Sequence, residues 1–142
     1  MPNTPVHLKA GGDIYPCRFV MLDTSADHTG LQATANGVII GVAQEGSNYP
    51  PLNDLVTTHK AATSGEYFRL YGDGDQCLVE AGEAFDRGTR LKADANGKAV
   101  AILTTGTTRQ NIGAVALASA AAAGEKIPVQ VLCLRDTRPA LT

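Results

Sequence analysis

The sequence contains no tryptophan, and its few aromatic residues limit what it can recognise. Of the 142 residues only 5% are aromatic, so side chains that stack on nucleic-acid bases are scarce, and so are those that stack on sugar rings. Charged residues make up 18% of the chain, and the formal net charge is −2. A protein that binds nucleic acid by neutralising phosphates carries an excess of basic residues. The composition therefore argues against direct nucleic-acid binding, and it disfavours a carbohydrate-binding β module.

Long hydrophobic runs are also missing. The first twelve residues have no basic start followed by an apolar run, as a signal peptide would. The longest stretch of low polarity, residues 112–124, is too short and too rich in alanine to span a membrane. We therefore expect a protein made in a cytosol-like compartment with no membrane partner.

The three cysteines do not form a recognisable framework. Cys17, Cys77 and Cys133 are odd in number and far apart in the chain, which argues against disulfides and against a zinc site. We expect free, buried thiols.

Catalytic and cofactor-binding motifs are not found. His7, His28 and His59 have no metal-ligand spacing, and we expect each at the surface. No serine lies in a Gly-x-Ser-x-Gly frame, and no phosphate-binding glycine loop occurs. Chain length and β-content fit the trimeric dUTPases, but the C-terminal residues 135–142 lack the glycines of that family's arm. We predict no catalytic residue, no metal, no cofactor and no enzymatic activity.

Two groups of acidic residues are candidates for a calcium site or for acid–base catalysis. Asp73 and Asp75 lie in a Gly-Asp-Gly-Asp stretch, but a calcium loop needs more oxygen ligands at set positions, so we predict a tight turn between strands. Glu80, Glu83 and Asp86 lie among small residues, and we interpret them as a solvated surface rather than an acid–base pair.

Short apolar runs separated by Gly, Pro and Asn predict an all-β domain, either a β-sandwich or a partly open β-barrel. An Asn-Gly turn at residues 94–98 predicts a hairpin. The alanine-rich residues 114–123 favour a helix by propensity, but their β-branched start predicts a strand to about Leu117 followed by a tight connection. A polar loop is predicted through Asp27, His28 and Gly30. The predicted strands are 17–22, 38–43, 66–71, 76–79, 90–93, 99–103, 112–117 and 126–134.

Two passages of the chain resemble each other at an offset of 72 residues. Each has a strand, a polar region, and an Ile-Gly pair followed by small apolar residues. The similarity is either chance or the trace of a pseudo-symmetric barrel or sandwich built from two related halves. Ser-Gly-Glu at 64–66 and Ala-Gly-Glu at 123–125 are also interpreted as reused turns. The matched pairs are Arg18 with Arg90, Phe19 with Leu91, Ile40 with Ile112, and Gly41 with Gly113.

The chain is predicted to have three parts: an extended N-terminal arm over residues 1–12, a β-rich domain over 13–135, and a C-terminal tail over 136–142. Prolines and glycines without periodicity indicate the arm. Within the domain, residues 44–66 form a long loop that contains Pro50 and Pro51 and either reaches a neighbouring subunit or is a plain surface excursion.

From Ile14 to Leu134 the chain resembles the small β-rich capsid cement, or head decoration, proteins of tailed phages. The resemblance rests on the order and spacing of several stretches rather than on any one motif. These stretches are residues 39–43, the turn and strand over 81–91, the 94–98 hairpin turn, 112–117, the link through Gly124 and Glu125, and 127–131.

The resemblance implies a structural virion protein on the outside of the expanded capsid, where it bridges neighbouring major capsid protein subunits. Repeated weak contacts on a lattice then add up through effective concentration. Self-association is expected, with a trimer favoured and a dimer possible. The alternatives are a tail or fibre accessory protein and a carbohydrate-binding module. The arm and the long loop supply the candidate contacts with the capsid or with other copies: Thr4, Pro5, Val6, Leu8, Tyr49, Pro50 and Pro51.

Overall fold

The computed structural model describes residues 6–35, 37–43, 62–102 and 110–137. These residues form ten β-strands and turns, and no helix occurs among them. The predicted all-β fold is confirmed. The strands are β1 (Val6–Ala10), β2 (Arg18–Leu22), β3 (Thr29–Gln32), β4 (Ile39–Ala43), β5 (Tyr67–Tyr71), β6 (Gln76–Glu80), β7 (Arg90–Ala93), β8 (Ala99–Ala101), β9 (Gln110–Ala116) and β10 (Lys126–Thr137).

The strands form two units of five. Strands β1 to β5 make a closed barrel in the order β1-β3-β2-β4-β5, in which β5 also pairs with β1. Strands β6 to β10 make a sheet in the order β6-β10-β9-β7-β8. In the opposite direction from β1, the barrel order is β1-β5-β4-β2-β3. Adding five to each strand number gives β6-β10-β9-β7-β8, which is the order of the sheet. The parallel pairing of β1 with β3 has its counterpart in a single parallel bridge between Ala81 and Ala99.

The two units also agree in register and in single hydrogen bonds. Phe19 lies opposite Val42 in the barrel, and Leu91 lies opposite Ala114 in the sheet, each 72 residues further on. The Ala10 N–H donates to the Glu66 carbonyl and the Ala81 N–H to the Glu125 carbonyl, both at 2.7 Å. Chance therefore does not explain the sequence repeat: the chain contains the same five-stranded order twice, closed into a barrel in the first unit and paired as a sheet in the second.

The reused turns serve the same purpose in both units. Gly65 and Gly124 have φ angles of 92° and 94°, in the left-handed region that glycine adopts without strain. Their N–H groups donate to the carbonyls of Ala10 and Ala81, both at 2.8 Å. Each turn thus ties the start of a unit's last strand to the end of its first strand.

The barrel interior and the contact between the units form two cores. Consecutive residues of β2 belong to different cores, because alternate side chains of a strand point to opposite faces: Val20 lies inside the barrel and Phe19 faces the second unit. The barrel core consists chiefly of Leu8, Ile14, Val20, Phe68 and Leu70. The larger core joins Phe19, Ile39 and Val42 of the barrel to Val79, Leu91, Ile127, Val129 and Val131 of the sheet.

Two sequence predictions need correction. Residues 6–10 of the predicted arm are strand β1, paired with β5 and β3, and Leu8 is buried in the barrel core. The arm as predicted therefore does not extend past residue 5, and residues 1–5 lie outside the described part. The predicted loop through Gly30 is wrong from Thr29 on, because Thr29–Gln32 pairs with β2 and β1 as strand β3.

Strand predictions for the second half are closer. Strand β7 spans Arg90–Ala93 as predicted, and the alanine-rich segment is strand β9 to Ala116, with bends and turns after it. In β10 the side chains of Ile127, Val129 and Val131 are buried on one face, as the alternation predicted, while Cys133 is half-buried. Pro128 lies near the strand start, also as predicted, and its carbonyl accepts a hydrogen bond from Leu117 N–H just past the end of β9.

Candidate functional site

Polar groups of both units meet at the junction between them, which includes the hairpin turn between β7 and β8. Asp94 Oδ1 accepts hydrogen bonds from the N–H groups of Asn96 and Lys98, and Gly97 has a φ of 78°. This is a type I turn closed by a glycine in the left-handed region, one of the standard three-residue hairpin loops. The predicted hairpin is confirmed, although the positive φ falls on Gly97 alone among its residues.

The turn docks directly onto the barrel. The Phe19 N–H donates to the Gly97 carbonyl at 2.9 Å, and the Glu80 N–H donates to the Cys17 carbonyl at 2.7 Å. A Cβ on Gly97 would lie 3.2 Å from the Ala33 carbonyl oxygen, so this close approach also favours glycine. Backbone hydrogen bonds and a shared core thus hold the units in one relative position.

Arg18, Glu80 and Lys98 form a charged cluster at this junction. Glu80 Oε2 lies 3.1 Å from Lys98 Nζ and 3.7 Å from Arg18 Nη2. Arg18 also donates from Nη1 to the Asn96 carbonyl at 2.9 Å, and its guanidinium lies 5.3 Å from the centre of the Tyr15 ring. One carboxylate of the second unit is therefore paired with cations from both units.

We expect Glu80→Gln to lower the free energy of unfolding by about 1 kcal/mol, because the two cations lose their shared counter-charge. Chemical unfolding at low salt measures the loss, and raising the salt should shrink it because ions screen the pair. Glu83→Gln is the matched control, since Glu83 is exposed and its loss should cost under about 0.5 kcal/mol. Equal losses for the two variants would contradict a structural role for the cluster.

The interpretation of Glu80, Glu83 and Asp86 as one solvated group is therefore wrong for Glu80. Its side chain is only 19% exposed and is held by Arg18 and Lys98. Glu83 and Asp86 are exposed, as predicted.

The predicted turn between β5 and β6 is confirmed. Asp75 Oδ2 accepts a hydrogen bond from Gly72 N–H at 2.9 Å, and Gly74 has a φ of 91°. Asp73 Oδ1 accepts one from the Cys133 N–H of β10, also at 2.9 Å. Both carboxylates thus fix backbone groups. Within the described ranges, no cluster of His, Cys, Asp and Glu side chains is arranged to hold a metal ion.

An open groove of about 810 Å³ lies on the outside of the barrel next to this turn. Leu22 and Val38 in its wall are 48% and 38% exposed, so apolar surface is accessible to water there. Two carboxylates, Asp23 and Asp73, also lie in the wall. Ser25 hydrogen bonds, from its side chain and then its backbone, lower the pKa of Asp23 and keep it charged. The other apolar wall residues are Met21, Leu31, Ile39 and Ile40.

The three cysteines are free thiols, as predicted, although only Cys17 is fully buried. Burial, with smaller contributions from Cys17 and Asp75, raises the pKa of Cys77 from 9.0 to about 12. Burial, with a smaller contribution from Asp73, raises the pKa of Cys133 to about 11. Since the thiolate is the reactive form, these thiols are poor nucleophiles at neutral pH.

The raised pKa of Cys77 predicts a loss of stability in base. The folded chain holds the thiol proton more tightly than the unfolded chain, so stability is unaffected below about pH 8 and falls as pH rises from 9 toward 12. At pH 10 the expected loss is about 1 kcal/mol. Urea unfolding at pH 7.5 and pH 10 measures it, with Cys77→Ala as the comparison. The variant should lose less stability over this interval than the natural chain, and an equal loss would contradict the assignment.

Of the predicted contact residues, only Val6 and Leu8 lie within the described part of the chain. Leu8 is buried inside the barrel, so its side chain is not available to an external partner. Val6 is the first residue of β1 and lies opposite Leu70. The remaining predicted contacts, Thr4, Pro5, Tyr49, Pro50 and Pro51, lie outside the described residues, as does His59. His28 is exposed, as predicted, and has a φ of 55°.

Sequence reasoning missed the junction cluster. Arg18 and Glu80 are 62 positions apart in the chain, and no local pattern links them. One signal was present: Arg18 belongs to the repeat, and its partner Arg90 is exposed on β7 without a comparable role in the described contacts. The side chain of Arg18 is 16% exposed where the two units meet, whereas the equivalent Arg90 is exposed to solvent.

No helix long and apolar enough to cross a membrane occurs in the part of the chain that the structure describes.

The architecture defines the class: an all-β protein made of a five-stranded barrel followed by a five-stranded sheet of the same strand order. A solved structure with a similar fold is the head fiber gp8.5 N base in bacteriophage phi29. The two share 16% sequence identity with a TM-score of 0.59, over 94% of this chain and 97% of that chain. At this identity the likeness shows a shared fold. No protein-family model and no curated protein matches the chain.

Proposed function

We propose that this chain is a structural protein of a phage particle, which binds the outside of the expanded capsid and bridges neighbouring major capsid protein subunits. The observation that carries the proposal is the similarity to the head fiber base, because it covers nearly the whole of both chains. The residue-level resemblance to cement proteins points to the same class of protein. A structural rather than catalytic role also agrees with the junction cluster, whose carboxylate is occupied by two cations that hold the units together.

The second candidate is a fibre accessory protein that forms the base of an appendage. The same similarity favours it, since the solved structure is itself part of a head fiber. Both candidates are bound to the virion, and they differ in how many copies a particle carries.

Copy number separates the two candidates. Quantitative mass spectrometry of gradient-purified particles gives the ratio of this chain to the major capsid protein. We expect a ratio near one-to-one, or a simple lattice fraction of it, for a capsid-bridging protein. A handful of copies would favour the fibre or tail role. Absence from the particle would overturn both and reopen the carbohydrate-binding alternative.

A further inference from the structure

Asn96 and Gly97, in the turn between β7 and β8, form a dipeptide that deamidates in unfolded chains. The backbone nitrogen of the glycine loses its proton and attacks the side-chain amide carbon of the asparagine. A C–N bond forms, and the amide nitrogen leaves as ammonia. Water then opens the succinimide ring to give aspartate or isoaspartate. Glycine favours the reaction because it has no Cβ to shield its nitrogen. The Asn96 side chain is exposed, so water reaches the site.

The same tripeptide occurs twice in the chain. Residues 35–37 and residues 95–97 are both Ala-Asn-Gly. Asn36 itself lies outside the described residues. In the unfolded chain the two asparagines have the same neighbours on both sides, so they should deamidate at similar rates. Asn36 is therefore an internal standard for the intrinsic reactivity of Asn96.

The junction holds the peptide group between Asn96 and Gly97 at both of its ends. The Gly97 N–H donates to the Asp94 carbonyl at 3.1 Å, and the Asn96 carbonyl accepts a hydrogen bond from Arg18 Nη1 at 2.9 Å. The nitrogen that must attack thus keeps its proton in a hydrogen bond. The peptide group cannot rotate toward the side chain without breaking both bonds. Beyond it, the Gly97 carbonyl accepts a hydrogen bond from the Phe19 N–H at 2.9 Å.

Packing restrains the same glycine. Gly97 is buried, and a Cβ built on it would lie 3.0 Å from Gln32 Cγ and 3.2 Å from the Ala33 carbonyl oxygen. These neighbours belong to the barrel, as do the donors Arg18 and Phe19, whereas the turn belongs to the second unit. The full restraint therefore exists only while the two units are docked.

We propose that Asn96 is a modification site controlled by the junction: its deamidation is blocked while the units are docked and proceeds when the junction opens. Isoaspartate adds one carbon atom to the backbone between Asn96 and Gly97, which displaces the Gly97 carbonyl from the Phe19 N–H. A junction that has opened and reacted therefore cannot dock as before. The proposal concerns the chemistry of the chain itself and does not depend on its role in a phage particle.

Mass spectrometry of peptides from the incubated full chain tests the block. In urea, Asn96 and Asn36 should deamidate at similar rates. In native buffer at the same pH, Asn96 should react at least about ten-fold more slowly than in urea, because only the opened population reacts. A folded chain whose Asn96 reacts as fast as in urea would overturn the proposal. An Asn96 that stays intact in urea as well would overturn it too, since its resistance would then come from the sequence.

Two variants separate opening of the junction from unfolding of the whole chain. Arg18→Gln removes the donor to the Asn96 carbonyl and should raise the native rate about ten-fold, as expected for losing one hydrogen bond from a charged donor. Phe68→Leu is the control, because Phe68 is buried in the barrel core and not at the junction. It should change the rate by less than about two-fold. Equal rates for the two variants would contradict control by the junction. If Arg18→Gln fails to fold, the comparison of the natural chain in urea and in native buffer decides alone.

Refolding tests the effect on docking. The natural chain, incubated in urea and then refolded, should unfold at a lower urea concentration than a sample refolded without incubation. Asn96→Gln is the control, since its remaining Asn-Gly pair is at Asn36. Equal losses of stability in the two chains would refute the effect of isoaspartate on docking.

Discussion

Replacing Phe19 with alanine should lower the free energy of unfolding by about 4 kcal/mol. Phe19 is fully buried in the core between the two units, and its ring lies against Gly113 of β9. Truncation removes apolar contacts and leaves a cavity between two sheets that backbone hydrogen bonds hold in position, so little collapse can offset the loss. Urea unfolding of the purified chain measures the change, and a single transition is expected because the units share one core.

Leu91 offers a test of the repeat by the same assay. It occupies the position of Phe19 in the second unit and is also fully buried. Leu91→Ala should cost about 3 kcal/mol. Leu22→Ala is the control, because Leu22 is 48% exposed, and its cost should stay below about 1 kcal/mol. A Phe19→Ala variant no less stable than the Leu22→Ala variant would show that the inter-unit core contributes little.

The sequence repeat predicted more of the fold than any local pattern did. Arg18 with Arg90 and Phe19 with Leu91 mark the equivalent strands β2 and β7, and their partners β4 and β9 lie beside them in the same register. Such a repeat is informative because each copy must bury the same face in the same way. The sequence could not predict that the first unit closes into a barrel and the second does not. Closure depends on the parallel pairing of β1 with β3, whose counterpart in the second unit is a single bridge between Ala81 and Ala99.

The missed strands are those whose residues look unlike strands. Strand β3 is Thr-Gly-Leu-Gln, and glycine is normally depleted in strands. Gly30 is there because a Cβ would lie 2.9 Å from the Phe68 ring inside the barrel. Strand β1 follows a proline-containing start, and its main partner, β5, begins at Tyr67, far along the chain. In both cases tertiary packing decides the structure, and local propensity does not reveal it.

The candidate site was less predictable than the fold for the same reason. Glu80 was singled out with Glu83 and Asp86 because the three are close in sequence, yet its partners Arg18 and Lys98 come from other strands and turns.

Gly41→Ala should destabilise the chain by about 3 kcal/mol. Gly41 lies in β4, and a Cβ there would overlap the carbonyl oxygen of Tyr71 and lie 2.8 Å from Leu70 Cγ in the neighbouring strand β5. A backbone oxygen cannot move aside as a flexible side chain can, so β4 and β5 must separate and the barrel must distort. Differential scanning calorimetry should show a fall in Tm of roughly 10 °C.

Gly72→Ala is the control for this substitution. Gly72 lies just after β5, has no heavy atom within 4 Å of a built Cβ, and does not have a left-handed backbone. Its replacement should change stability by less than about 0.5 kcal/mol. If Gly41→Ala lowered stability as little as Gly72→Ala, that result would contradict the close approach of β4 to β5 at Gly41. At Gly113, the repeat partner of Gly41, a Cβ would lie 2.6 Å from Ile39 Cδ1 and 2.9 Å from the Phe19 ring. Both are side-chain atoms, so replacement of Gly113 should cost less than replacement of Gly41. The repeated glycine therefore has a different role in each copy. Gly41 allows β4 to approach β5 closely within the barrel, and Gly113 allows β9 to pack against Ile39 and Phe19 of the first unit.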